Sequence, residues 1–573
     1  MTMIYKLILV TTILHFSIFM LAQNPVIIPT TISGTEFNLT LQNGTFQFYD
    51  GFTTTTMGVN GNILGPTLIM EKGELVDIAV MNNLNDTTTI HWHGMHVSAI
   101  NDGGPHTTIA PGSSWNPQFK VLDMAGTYWY HPHLHEKTNE HVSKGIAGFI
   151  IVRDEEEELL DLPRSYGIDD FPLVIQTKDF DPQKQIVVPS NSDDVVMVNA
   201  TIDASLIVPA QIVRFRMLNG SSMRVFNVGL LDNMTFYQIG SDGGLLNEPV
   251  PLTRLQLAPG ERAEILIDFG SMEGQTIQLM SFASEFPNGI YGATYPGSMG
   301  QMMTLDGYNP NPLNGNDFSI LTFNVGSPNG SAVNNIPSSL VDVVTIAEDE
   351  SDITRNLSFT PEFMGPNQLN GRFLINGTTF NMDVINYSIP LNNTEIWSIF
   401  NQSAIAHPFH IHDVQFFVLD RNGIPATASE QGRKDVILIK PQETVRFITK
   451  FEDFADDLVP YMFHCHMLVH EDDGMMLQFE VVSDPSGIGK DNSMEILIYP
   501  NPLNDEKPVV TVSTDKVFDS YEIYNINGAK LVENSLVNSS TSLQINFKNY
   551  AKGVYILKLT SGTDIYTKRI IIE

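Results

Sequence analysis

Short runs of alternating apolar and polar residues, punctuated by Gly, Pro and Asn, fill most of the chain. Glu74–Met81, Ile212–Leu218 and Glu395–Phe400 are typical, rich in Val, Ile and Phe between turn formers. Successive side chains of a strand face opposite ways, so this pattern predicts β-strands with one face in a core. Few segments hold a helical period. The acidic stretch around Asp154–Leu162 reads as a short helix or a linker.

The strand pattern repeats. Ile109-Ala-Pro-Gly-Ser-Ser114, Leu257-Ala-Pro-Gly-Glu-Arg262 and Ile439-Lys-Pro-Gln-Glu-Thr444 are each followed by an alternating run: Trp115–Val121, Ala263–Phe269 and Val445–Phe451. Each is preceded by a matched strand beginning at Val76, Val213 or Ile396. The intervals, 148 residues (109 to 257) and 182 (257 to 439), are domain-sized. They predict three related β-sandwich domains in tandem, spanning 24–160, 165–335 and 340–484. Residues 485–493, rich in Pro, Gly, Ser and Asp, read as a linker. Residues 494–573 form a fourth unit, with strands expected at Glu495–Tyr499, Pro508–Val512, Ser520–Tyr524, Gly553–Thr560 and Tyr566–Ile572.

At the other end, Leu7–Ala22 is an apolar run after a lysine, too short for a bilayer span and followed by polar Gln23-Asn24-Pro25. It reads as a secretory signal peptide, residues 1–22, cleaved near Ala22. The 573 residues are 42% hydrophobic, enough for sizeable cores. The net charge is −34, from 65 acidic and 31 basic side chains, which excludes a nucleic-acid partner for want of a basic face. A secreted chain with one cysteine forms no internal disulfide, so Cys465 is free for metal chemistry.

Three histidines lie close to that cysteine in Tyr461-Met-Phe-His-Cys-His-Met-Leu-Val-His-Glu-Asp-Asp-Gly-Met475. Cys465, His470 and Met475 supply three of the four ligands of a His₂Cys centre with an axial Met, the blue-copper arrangement. Of 15 histidines, ten fall in four clusters: His91/His93, His131/His133, His407/His410/His412, and His464/His466 with His470. A His-X-His pair on a strand aims two imidazoles at one place. Four pairs (91/93, 131/133, 410/412, 464/466) give eight nitrogen donors, which suit three copper ions and exceed the four a zinc site needs. His407 is left over to join Cys465, His470 and Met475. Cys465 points away from His464 and His466, so one stretch links two metal sites. The five other histidines (His15, His96, His106, His135, His141) read as solvent or supporting residues. None lies between His141 and His407, so the middle domain is expected to bind no copper and to serve as a spacer or substrate wall.

With these four motifs, residues 35–483 resemble the multicopper oxidases of the three-cupredoxin-domain laccase type. Gly126-Thr-Tyr-Trp-Tyr-His-Pro-His-Leu-His-Glu-Lys-Thr, Ser241-Asp-Gly-Gly-Leu-Leu and His470-Glu-Asp-Asp-Gly-Met-Met are similar to the bacterial branch of cuprous oxidases, the spore-coat laccase and bilirubin oxidase. The resemblance implies three Greek-key cupredoxin domains and four copper ions. It implies type 1 copper on His407, Cys465, His470 and Met475, type 2 on His91 and His410, and a type 3 pair on His93, His131, His133, His412, His464 and His466. It further implies one-electron oxidation of a small-molecule or metal-ion reductant at type 1, coupled to reduction of O₂ to water at the other three. Asp102 and Glu471 would relay protons.

Cuprous oxidases of this branch carry an acid and a methionine upstream of His-Pro-Phe-His-Ile-His, and a Met-rich insert. Here those positions are Ser403 and Ile405, and Met299, Met302 and Met303 form only a small cluster. Phenol or aryl-amine oxidation is therefore expected, with cuprous, ferrous, manganese or bilirubin oxidation as alternatives. A copper-free cupredoxin scaffold, as in relatives with cell-division roles, conflicts with the complete ligand set. A two-domain nitrite reductase lacks the type 3 pairs. Tyr499-Pro-Asn-Pro502, Tyr524-Asn-Ile-Asn-Gly528, Gly553-Val-Tyr-Ile-Leu-Lys-Leu559 and Lys568 resemble the sorting domain of type IX secretion. That implies contact with the secretion machinery and a secreted or surface protein, with the periplasm as alternative. A monomer is expected.

Overall fold

The computed structural model describes residues 24–190, 192–300, 311–330, 332–363, 372–483, 496–503, 508–525, 530–561 and 564–572. The expected signal peptide, the linker and Met302/Met303 lie outside these residues. Two compact units divide at Pro485/Ser486.

Among the described residues, the first unit holds six sheets that face in pairs around three main cores. These are three cupredoxin-like sandwiches, and the repeated motif occupies the same place in each. In the first, Leu75–Asn83 runs parallel to Glu36–Phe46 and antiparallel to Gln118–Lys120. In the second, Ile212–Asn219 runs parallel to Asp170–Lys178 and antiparallel to Arg262–Asp268. In the third, Thr394–Asn401 runs parallel to Ile353–Pro361 and antiparallel to Thr444–Lys450. The first copy departs in detail. Its run after Ser114 splits into Ser114–Trp115 and Gln118–Lys120 around Pro117, which has no N–H for the ladder. Asn24–Pro25 pairs with Ala204–Pro209, in a sheet of the middle sandwich.

Alternation within a strand explains how the sandwiches join. Val213, Phe215 and Met217 face the middle core, while Arg214 and Arg216 between them face the first sandwich. There both arginines are buried among Glu157, Asp170 and Glu264. The acidic stretch is helical at Glu155–Glu158, because the Asp154 carboxylate accepts from Glu157 N at its start.

The second unit is a small β-sandwich with its own core, including Val510, Val512, Phe518, Ile523 and Leu557. Its strands are Ile496–Tyr499, Val509–Asn525, Lys530–Asn546, Gly553–Ser561 and Asp564–Ile572. Two expected runs are one 17-residue strand, Val509–Asn525, whose pairing shifts between Ser513 and Phe518. Lys530–Asn546 was not expected. Its Glu, Asn and Ser content hides the alternation of Leu543 and Ile545.

Candidate metal centre

His91 and His93 lie on the strand His91–His93, whose Trp92 belongs to the first core. That strand pairs with Gly126–His131 so that His131 sits opposite His91. In the third sandwich His407–Ile411 pairs with Asp456–Cys465, setting His410 opposite His464 and Phe409 opposite Cys465. His133, His412 and His466 lie just past their strand ends, yet the pairing by parity persists. Ring centroids within the four His-X-His pairs are 5.8, 6.1, 5.1 and 5.6 Å apart.

For six of the eight rings a hydrogen bond decides which nitrogen is bare; Nδ1 of His133 and of His466 has no such partner. A carbonyl or carboxylate oxygen only accepts, so the nitrogen facing it carries the proton. Nδ1 donates to Asp102 O from His91 (3.0 Å), to Pro132 O from His131 (2.8 Å), to Asp435 O from His410 (2.8 Å), to Asp102 Oδ2 from His412 (2.8 Å) and to Cys465 O from His464 (3.1 Å). In each case Nε2 is the bare nitrogen. His93 is reversed: its Nε2 donates to Asp435 Oδ1 at 3.0 Å, leaving Nδ1 bare.

These six nitrogens, with Nε2 of His133 and of His466, converge in three groups. The Nε2 atoms of His133, His412 and His464 stand 3.0, 3.1 and 3.3 Å apart. His93 Nδ1 is 3.3 Å from both His131 Nε2 and His466 Nε2. His91 Nε2 and His410 Nε2 are buried with no hydrogen-bond partner. Lone pairs crowded this way repel one another unless a cation sits among them. Burial holds His93, His131, His133, His410, His412 and His464 far below the ordinary imidazole pKa, and His466 at about 3. Neutral imidazole is the form that binds metal. Asp435 also approaches His93 and His410, but its Oδ1 is already taken by His93 Nε2–H and Arg262. It orients rings rather than adding a ligand.

A second cluster lies in the third core. Cys465 Sγ is 3.5 Å from His407 Nδ1 and 3.6 Å from His470 Nδ1. Met475, wholly buried, is tied in by its backbone: Cys465 N–H donates to its carbonyl (3.0 Å) and its own N–H donates to His470 O (2.8 Å). Phe373 packs on both imidazoles, at 4.6 and 4.7 Å. Burial lowers the His470 pKa to about 3 and pushes the Cys465 thiol up. A bound metal ion reverses the thiol's preference by stabilising the thiolate.

Both expected carboxylates reach the histidines. Asp102 holds His412 through Oδ2 and His91 through its carbonyl. Glu471 lies 3.5 Å from His133 Nδ1 and 3.3 Å from His464 Nδ1, and burial, helped by Asp472, keeps its carboxyl protonated well above the usual range. Sequence reasoning missed Asp435 and Arg262. One signal was present: Arg262 replaces the Ser114 and Thr444 of the other motif copies. Among the remaining histidines, His96 is paired with Asp413, His106 bonds Gln478, His141 bonds Thr88, and His135 packs on Phe380. His15 lies outside the described residues.

Residues 40–157 and 349–485 match family models described as multicopper oxidase. Over 460 residues the chain is 32% identical to the multicopper oxidase mco of Staphylococcus haemolyticus, covering 78% of this chain and 89% of that one. The chain belongs to the multicopper oxidase family. A solved multicopper oxidase, the laccase-like CueO of the lignin-degrading bacterium Ochrobactrum sp., superimposes with a TM-score of 0.70 at 32% identity, covering 80% of this chain and all of that one. The cell division protein FtsP of Sodalis glossinidius is also similar, 30% identical over 82% of this chain and 94% of its own. Multicopper oxidases are copper oxidoreductases with four copper ions per chain. The groups found here, of two, three and three imidazoles and a mixed N/S set, fit that cofactor. Residues 497–573 match a secretion-system C-terminal sorting domain, which marks the protein for type IX secretion to the cell surface or beyond.

Proposed function

We propose that this multicopper oxidase is laccase-like, withdrawing single electrons from phenols and aryl amines and delivering four of them, with four protons, to O₂ to give two waters. On this reading His407, Cys465, His470 and Met475 hold the type 1 copper and His91 with His410 the type 2 ion. His93, His131 and His466 hold one ion of the type 3 pair, and His133, His412 and His464 the other. Copper supplies the one-electron redox chemistry and the site of O₂ reduction.

The chain supplies geometry and protons. Cys465 shares its backbone with His464 and His466, so a covalent path joins the two clusters. The surrounding core of Phe409, Phe463 and Leu477 excludes water from Cys465. Glu471, beside His133 and His464, is placed to give a proton, and Asp102 Oδ2 to accept one from the His412 side.

The observation that carries the substrate class is at the position where cuprous oxidases place an acid and a methionine. Ser403 is buried and committed to His407 Nε2 at 2.9 Å, and Ile405 is wholly buried, so neither offers a ligand for cuprous ion. Met299 is 55% exposed. The similar Ochrobactrum protein is described as having oxidase activity towards lignin model compounds and lignosulfonate, which supports the aromatic class. Copper-loaded protein should be assayed for O₂ uptake with a phenol, an aryl diamine, bilirubin, Cu(I), Fe(II) and Mn(II). The phenol and diamine should lead, and a large preference for Cu(I) would overturn the reading. The similarity to FtsP is met by the Cys465→Ser variant. It should lose the blue absorption and all O₂ uptake, and retained uptake would refute an oxidase built on Cys465.

For export, residues 1–22 act as the signal peptide and the tail as the sorting signal. The mature protein recovered outside the cell should begin near Gln23, and its mass tells whether the tail is retained.

A further inference from the structure

The middle sandwich lends no histidine to the copper cluster, yet it closes one side of it. Gly260, at φ +86°, packs on His466; a Cβ there would lie 3.0 Å from three ring atoms. Two residues on, Arg262 is fully buried with all five of its N–H groups engaged. Nη1 and Nη2 grip the two oxygens of Asp435 at 2.6 and 2.5 Å. The other three bonds go to carbonyls: Nε to Thr127 O (3.1 Å), Nη1 to Gly260 O (3.1 Å) and Nη2 to Asp242 O (2.8 Å). One guanidinium thus ties together all three sandwiches, with Thr127 in the first and Asp435 in the third.

Asp435 is what makes this matter. Its Oδ1 accepts from His93 Nε2 and its carbonyl from His410 Nδ1, and those two rings stack at 3.8 Å, 8° from parallel. His93 is the ring with the reversed tautomer. A neutral imidazole has little preference of its own between its two tautomers, so the acceptor decides which nitrogen is bare. We propose that Arg262 is a positioning residue for the copper cluster: by fixing both oxygens of Asp435 it makes His93 present Nδ1, and it steadies His410 beside it.

This proposal rests on the copper reading above. Two observations separate it from a merely structural role. The same motif turn forms with Ser114 and Thr444 where the middle copy has Arg262, so the turn itself does not need an arginine. Gly94, directly after His93 and at φ +86°, leaves room for the clamp, since a Cβ there would lie 2.4 Å from Asp435 Oδ2 and 2.5 Å from Arg262 Nη2.

The test uses the full chain as wild type, Arg262→Lys and Arg262→Gln, each loaded with copper. Lysine keeps the charge but cannot span two carboxylate oxygens and three carbonyls. Three quantities are measured: copper per chain by elemental analysis with chelator competition, the blue absorption of the Cys465 centre, and thermal unfolding of the copper-free protein. Arg262→Lys should keep the blue absorption while its most weakly held ion binds roughly 10–100-fold less tightly, the usual effect of losing a partner that orients a ligand. Arg262→Gln should do the same or worse; if it fails to fold, the lysine variant decides. Wild-type copper affinity in Arg262→Lys, whether or not its unfolding temperature drops, overturns the proposal. If the wild-type chain takes up no copper, the copper reading falls and this inference falls with it.

Discussion

Ser403 Oγ lies 2.9 Å from His407 Nε2, on the far side of the ring from the Nδ1 that faces Cys465. The hydroxyl is within reach of two acceptors, Asn401 Oδ1 (2.7 Å) and Ile405 O (2.9 Å), so its one proton goes to that side and it accepts from His407. This fixes the ring's tautomer and sends a little electron density toward Nδ1. Ser403→Asp offers a charged acceptor and should lower the reduction potential of the blue centre, whereas Ser403→Ala should raise it. One hydrogen bond of about 1 kcal/mol corresponds to roughly 40 mV for a one-electron couple. Redox titration of the blue absorption measures this, and identical potentials in all three proteins would sink it.

Glu471→Gln keeps the shape and hydrogen-bonding reach of a protonated carboxyl but has no proton to give. It should bind copper normally and slow O₂ reduction by roughly 10²-fold or more. The copper-free chain offers a second reading. Unfolded, the carboxyl titrates near ~4.3, while folded, burial raises it far above that. A raised pKa gives a stability contribution complete below the unfolded value and lost as pH rises through the folded one. Denaturation midpoints of the wild type should therefore fall on alkalinisation relative to Glu471→Gln; parallel curves would argue that the carboxyl is not buried as a proton donor.

Strand parity made the histidine groups legible in sequence, because it depends only on i and i+2. Met475 was legible from its spacing to Cys465 and His470, whereas the roles of Asp102 and Glu471 came through family resemblance, and the structure then set both acids against ring nitrogens. Arg262 and Asp435 were not legible. They stand 173 residues apart and meet only where three sandwiches close on each other. Ser403 was noticed as an absence, an acid missing, while its positive role needed the 2.9 Å contact with His407.

Arg153, Arg214 and Arg216 interleave with Glu157, Asp170 and Glu264 between the first two sandwiches, three positive charges against three negative. Arg216 alone contacts Asp170, Glu264 and Thr127. Arg216→Met strips two buried carboxylates of a partner and should cost about 3–5 kcal/mol. Combining it with Asp170→Asn removes one of the stranded charges, so the double variant should be less destabilised than the single. Urea midpoints of the copper-loaded proteins check the order, and additive losses would show that the charges act independently.

His96 bridges the first and third sandwiches: Nδ1 is 2.8 Å from Asp413 Oδ1, Nε2 is 3.1 Å from Asp453 Oδ2, and its N–H donates to Asp123 at 3.0 Å. Burial disfavours its proton, but Asp413, Asp123 and Asp453 outweigh that and hold the pKa up at about 10. In the unfolded chain the ring titrates near ~6.5. The folded pKa is the higher, so the contribution is complete below about 6.5, declines as pH rises, and is gone above about 10. The stability gap between wild type and His96→Gln should therefore narrow steadily from neutral pH into the alkaline range. Denaturant midpoints across that range measure it, and a gap that persists above pH ~10 would mean that the ring is held by packing rather than by its charge.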